Sequence, residues 1–111
     1  MLPENLTAIV ARNETWTGEA ATEPYEAGWA KEAIVFVRAL KPPKGTLPQA
    51  RIEISADGLH WAPEGSLFDL PARENAVTFQ RLAHFGNFLR VAVSLPAGAE
   101  ITVLVSLHLK A

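Results

Sequence analysis

The sequence predicts an all-β fold, an antiparallel β-sandwich of jelly-roll type with about seven or eight strands. Three observations lead there. Short segments with apolar residues at every second position recur along the chain, glycine- and proline-rich breaks separate them, and helical periodicity is almost absent. Short connections imply antiparallel pairing, and strands this few and this short suit two packed layers better than a ligand-holding barrel.

Near the N-terminus, "LTAIVAR" sets Leu6, Ala8 and Val10 opposite Ile9. The stretch "GEAATEPYEAGWAKEA" has the alanine and glutamate of a helix, but Pro24 and Gly28 interrupt any helical run. A short strand around Pro24 to Glu26, flanked by loops, is expected instead. "AIVFVRAL" is apolar on both faces and suits a central strand. The paired prolines and glycine of "KPPKGTLP" cannot continue a ladder and mark a loop.

In "QARIEIS", Ile52 and Ile54 point inward while Arg51, Glu53 and Ser55 point outward. Asp57-Gly58 then supplies the positive φ of a tight hairpin turn, and Trp61 falls where the chain returns. A ring in that place is read as a core or edge plug, with a recognition surface as the alternative. "AVTFQRL" opposes Val77, Phe79 and Arg81 to Thr78, Gln80 and Leu82. Last come "NFLRVAVSLP", with Leu89, Val91, Val93 and Leu95 on one face, and "EITVLVSLHLK", where Ile101, Val103, Val105, Leu107 and Leu109 alternate with a second set that includes an outward His108. The connecting "PAGA" is a turn by composition, so these two strands are expected to form a hairpin.

A chain of 111 residues fits one sandwich domain spanning 1–111. Its 10 Lys and Arg against 12 Asp and Glu leave a net charge of −2, no footprint for a polyanion, so nucleic acid is not an expected partner. Without cysteine it has no disulfide or thiolate chemistry. The beginning, "MLPENLTAIVARNE", lacks the basic and long apolar regions of a secretion signal, and no apolar run approaches the ~20 residues of a membrane span. Residence in the cytoplasm or in a larger particle such as a virion is expected, with no membrane partner.

Catalytic constellations are sparse. His60, His84 and His108 show no metal-ligand spacing, and no serine sits in a G-x-S-x-G elbow. Glu53, Asp57, Glu64 and Asp69 cluster in sequence, but turn chemistry accounts for Asp57 and an exposed strand face for Glu53. Phosphate and dinucleotide loops are missing as well. The reading is therefore a non-enzyme with no cofactor and no metal. The feature left over is "TWTGEAATEPYEAGW", which places Trp16, Tyr25 and Trp29 in a polar, loop-rich segment as candidate binding residues. Such rings either anchor a loop to the core or stand exposed as interface hot spots and sugar-stacking platforms.

Two motifs, "ISADGLHW" and "HFGNFLRVAVSL", resemble the strand, Asp-Gly turn and tryptophan and the late strand of discoidin-like and galactose-binding-like sandwiches. The closer resemblance is to small phage and prophage virion proteins. The shared order runs through Ile34 to Leu40, Ile54 to Trp61, Gly86 to Val93, and Ile101 to Lys110. That resemblance implies a structural or decoration protein of a phage-like particle, with protein partners, a symmetric homo-oligomer and no catalytic residue. The alternative function is a carbohydrate-binding module that uses exposed aromatics.

Overall fold

The computed structural model describes residues 5–111. The first four residues, part of the stretch read above for a secretion signal, lie outside the described residues. Nine strands form: β1 (Asn5–Trp16), β2 (Glu19–Ala21), β3 (Tyr25–Glu26), β4 (Glu32–Ala39), β5 (Ala50–Ser55), β6 (Ala62–Phe68), β7 (Val77–Ala83), β8 (Phe88–Ser94) and β9 (Ile101–Lys110). The first sheet runs β1-β9-β4-β7 and the second β2-β8-β5-β6, with β3 also paired to β8. All pairings are antiparallel.

Because β2 and β3 share β8 as neighbour, they are two pieces of one edge strand. Counted that way, eight strand positions fall into two four-stranded sheets, the expected jelly-roll arrangement of two interlocked Greek keys. The interruption lies at Thr22–Pro24, where proline brings no N–H to the ladder. Thr22 carries the pairing partway across: its amide donates to the Val91 carbonyl at 2.9 Å, and its Oγ1 accepts from the Val91 amide at 3.0 Å.

Two local expectations need correction. Strands β8 and β9 do not form a hairpin: they belong to different sheets, and the segment between them arches across the sandwich. A Pro-Ala-Gly-Ala connection looks the same in both cases, because its composition reports only that the ladder stops. Pairing of β5 and β6 is real, but the last partners before the reversal are Ile54 and Ala62, which makes a loop rather than a two-residue turn. Gly58 has the expected positive φ of 80°, and the Phe88 ring lies against its Cα side at contact distance.

Inward-pointing residues of both sheets make the core. Val35 and Val37 of β4 and Val103, Val105 and Leu107 of β9 meet Ile52 of β5 and Leu89, Val91 and Val93 of β8, all essentially inaccessible. Each such side chain contributes about 1.5–3 kcal/mol of burial, which makes this layer the main stabilising element. Strand β4 is central in its sheet, as expected, with β9 on one side and β7 on the other.

The outer strand β1 has twelve residues against the ten of β9, and the difference is two one-residue bulges. Asn13, at φ 53°, lies in the second, a backbone that asparagine tolerates better than most residues. The bulges bury consecutive residues Val10 and Ala11 and leave Ile9 facing solvent at 41% exposure. They also spoil the regular ladder that a long free edge would offer to another chain.

Candidate functional site: the open face of the first sheet

The outer faces of the two sheets differ. On the second, Glu53 faces outward as expected but is not on an exposed surface: it is only 9% accessible. Arg90 holds its Oε1 through Nε at 2.8 Å and a terminal nitrogen at 2.7 Å, and Arg51 donates to Oε2 at 3.0 Å. The register places Glu53 directly beside Arg90, and both arginines lie over the strand, which is why the carboxylate is covered. Burial alone would raise its pKa, but the hydrogen bonds and charges of Arg51 and Arg90 outweigh that and hold it below the ordinary carboxylate value. Arg51 reaches on to Ser94, and Ser94 to Glu19 on β2.

Trp61 completes this layer. The Arg90 guanidinium stacks on its ring at 4.1 Å, and the tryptophan is half-buried outside the sandwich rather than plugged into the core. Its role is to cover the Arg90–Glu53 pair from solvent. The middle of the second sheet's outer face is thus occupied by its own side chains, and Leu67, beside Arg51, is left exposed.

At one end of the sandwich, an open cleft of about 360 Å³ lies between the β5–β6 loop and the β7–β8 loop, lined by Ile54, His60, Phe85 and Asn87 among others. The loop above it is tied by Asp57. Its carboxylate takes the His60 ring Nδ1 at 2.7 Å, the amides of His60 and Leu59, and the Ser55 hydroxyl. The His60 ring hydrogen bond first, then the backbone and Ser55 bonds, hold the carboxyl well below the usual carboxylate range. Every one of these bonds is internal to the loop, so Asp57 shapes a turn. His84 does not line the cleft, and among the described residues no three His, Cys, Asp or Glu side chains gather in metal-holding proximity.

The three aromatics singled out from the sequence are not brought together. Trp16 pairs with Ile101, at the end where β8 crosses to β9, whereas Tyr25 pairs with Leu89 at the opposite end. Trp16 is 4% exposed, packs in the core, and donates its indole N–H to Glu14 at 3.2 Å. Tyr25 and Trp29 are half-buried against the core. Trp16 thus ends β1 in the core, while Tyr25 in β3 and Trp29 in the β3–β4 loop pack against the core and stay partly accessible.

Sequence reasoning missed the outward face of the first sheet. Its β4 residues Glu32, Ile34, Phe36 and Arg38 stand in register with Ala83, Arg81, Phe79 and Val77 of β7 and with Lys110, His108, Ser106 and Leu104 of β9. Val77 is 53% and Phe79 45% exposed, Ile34, Phe36 and Leu104 are half-buried, and Ile9 extends the apolar band onto β1. Phe36 sits 5.9 Å from Phe79 and meets the His108 ring edge-on at 5.0 Å, while Arg81 lies over Phe79 at 5.0 Å. His108 is held by Thr7 and Ser106, each at 3.2 Å. The patch is aromatic at its centre, is crossed by Ser106 between Ile9 and Phe36, and has a small pocket among Glu32, Ile34, Arg81, His108 and Lys110. Such a surface offers apolar burial to another protein beside a cluster of ionisable side chains, Glu32, Arg81, His108 and Lys110.

The signal was present in two places. "AIVFVRAL" is apolar on both faces, and centrality within the sheet explained only one of them. In "AVTFQRL" the apolar set Val77 and Phe79 points out while Thr78 and Gln80 point in, an inversion that alternation alone cannot reveal.

No protein-family model matches the sequence, and no curated protein matches it. Among solved structures, the chain is similar in fold to the SPBc2 prophage-derived protein YomS, over all of this chain and 96% of that one, with a TM-score of 0.62 and 12% identity. Two weaker likenesses are to a protein of Bacillus endospore appendages that form disulfide-linked pili (TM-score 0.46, 7% identity, 97% of this chain and 86% of that one) and to a chain of infectious bursal disease virus, Gx strain (0.45, 13%, 99% and 32%). What the chain shares with the prophage-derived protein is its all-β fold, end to end.

Proposed function

We propose that this chain is a non-enzymatic structural protein of a phage-like particle, a single sandwich domain that works by protein–protein assembly. The observation that carries the reading is the open face of the first sheet, where exposed Phe79, Val77 and Ile9 with half-buried Phe36 and Ile34 make an apolar patch. On the second sheet Glu53, Arg51, Arg90 and Trp61 cover the middle of the outer face and leave Leu67 exposed beside them. A folded chain bears the cost of exposing Phe79 and Val77 where a partner covers them. The fold likeness to a prophage-derived protein supports a particle as the setting.

Particles purified on a density gradient from the organism that encodes the chain test this directly. The protein is expected among their components by mass spectrometry, and Phe79→Asp, on an exposed position, is expected to remove it from them while leaving its circular dichroism unchanged. Particles of full composition that never contain the protein refute the reading.

A further inference from the structure

We propose that the occupant of this open face is a second copy of the chain, packed face to face about a two-fold axis that runs across the strands between Ile34 and Phe36. The inference rests on the assembly reading above and names the partner. The outward residues of β4 read Glu32, Ile34, Phe36, Arg38: acid, apolar, apolar, base. Turned end over end on itself, that series sets Glu32 against Arg38 of the second copy and Ile34 against Phe36 of the second copy, twice over by symmetry. The neighbouring strands agree. On β7, Arg81 comes opposite the Phe79 ring of the second copy, a cation–π arrangement like the one Arg81 already makes within its own chain. On β9, His108 comes opposite Ser106 and Lys110 opposite Leu104. No two like charges meet.

The charges are available for this. Among the described residues, neither Glu32 nor Arg38 makes an ion pair, although both are exposed. A strand advances about 3.4 Å per residue, so each lies about 10 Å from the axis. Sheets packed face to face cross at about 30°, which displaces the ends by about 5 Å, within reach of an arginine. A two-fold axis along the strands is the competing arrangement. It pairs Glu32 with Lys110 and sets Arg38 against Leu104, whereas the axis across the strands pairs Glu32 with Arg38 and sets Lys110, the last residue of β9, against Leu104. The two differ in which cation Glu32 takes, and charge-reversal rescue separates them.

Four strands spaced about 4.8 Å apart and about 30 Å long give a face of about 600 Å² in projection. That is the small end of specific interfaces, which bury about 600–800 Å² per partner, so the dimer is a dissociating one whose population follows concentration.

Sedimentation equilibrium of the purified chain across a dilution series reads the association, with circular dichroism confirming that each variant is folded. The wild type is expected to shift from monomer to dimer. Glu32→Arg alone and Arg38→Glu alone each replace two attractive contacts by two repulsive ones and are expected to raise the dissociation constant by about tenfold or more. The double variant Glu32→Arg/Arg38→Glu is expected to return to near the wild-type value, and Phe79→Arg to give monomer. Rescue by Arg38→Glu supports the packing. A wild-type monomer at every concentration, a dimer indifferent to both single changes, or rescue of Glu32→Arg by Lys110→Glu instead, overturns it. A chain that stays monomeric in solution yet enters particles through the Phe79 face overturns the second copy as occupant and leaves the assembly function standing.

Discussion

Replacing Glu53 by glutamine keeps the side chain's shape and removes its charge, so it isolates what the two arginines gain from the carboxylate. Three contacts are affected, two from Arg90 and one from Arg51. A hydrogen bond to a charged group is worth about 1.5–3 kcal/mol against about 1 kcal/mol for a neutral pair, so the gross loss is about 3 kcal/mol. Arg51 and Arg90 keep 31% and 26% of their side-chain surface in water, and solvent screening brings the expected loss to about 2 kcal/mol. With 111 residues and an unfolding entropy of about 2.1 cal/mol/K per residue, this lowers Tm by about 9 °C. Thermal melts followed by circular dichroism measure it at pH 7 and then at falling pH. Because the folded-state pKa of Glu53 lies below its ordinary 4.5, its stabilisation is complete above that value and disappears as pH falls through the lower, folded value. Protonated glutamate then resembles glutamine, so the gap between the two proteins closes in acid. Equal melting temperatures at pH 7, or a gap that persists unchanged at about pH 2, refute a charge clamp.

Trp61→Ala removes the ring under Arg90 and is expected to cost about 1 kcal/mol, measured by denaturant titration, and to lose most of that effect in a Glu53→Gln background because the two act through one guanidinium. Asp57→Ala frees the amides of Leu59 and His60, whose hydrogen exchange is expected to accelerate while that of β5 stays unchanged. Gly45→Ala places a methyl 2.8 Å from the Ala99 Cα and the Gly98 carbonyl at a φ of 74°, so it is expected to break the paired Lys44–Glu100 bridge and destabilise the chain by about 1–3 kcal/mol in the same titration.

Strand content was legible wherever a single alternating segment decides its own faces. The sets Leu89, Val91, Val93 and Ile101, Val103, Val105 are inward as their period required, because one buried face fixes the side of every other residue. Legibility ended where the decision belongs to another strand. Whether β8 and β9 pair or part depends on β2, β5, β1 and β4, which lie far away in sequence, so the local turn carried no information about it. Glu53 failed for a related reason: alternation placed it outward, but its burial comes from two arginines, one of them on β8. Trp61 is outside the core, and the partner that half-buries it, Arg90, is also supplied by β8.

These failures have a common geometry that bears on function. Apart from the β8–β9 connection, the features invisible in the sequence concern what covers the outer faces, because inner faces are specified by hydrophobic period and outer faces by cross-strand neighbours. On the second sheet those neighbours are an acid, two bases and an indole, and they satisfy one another. On the first they are two phenylalanines, branched aliphatics, an Arg81 stacked on Phe79, and Glu32 and Arg38, which make no ion pair among the described residues. The Phe36–Phe79 pair contributes cross-strand packing to the monomer and still leaves 45% of Phe79 exposed. The assembly proposed for this face covers those rings, and the end-over-end order of charge along β4 is what suits an identical surface to it.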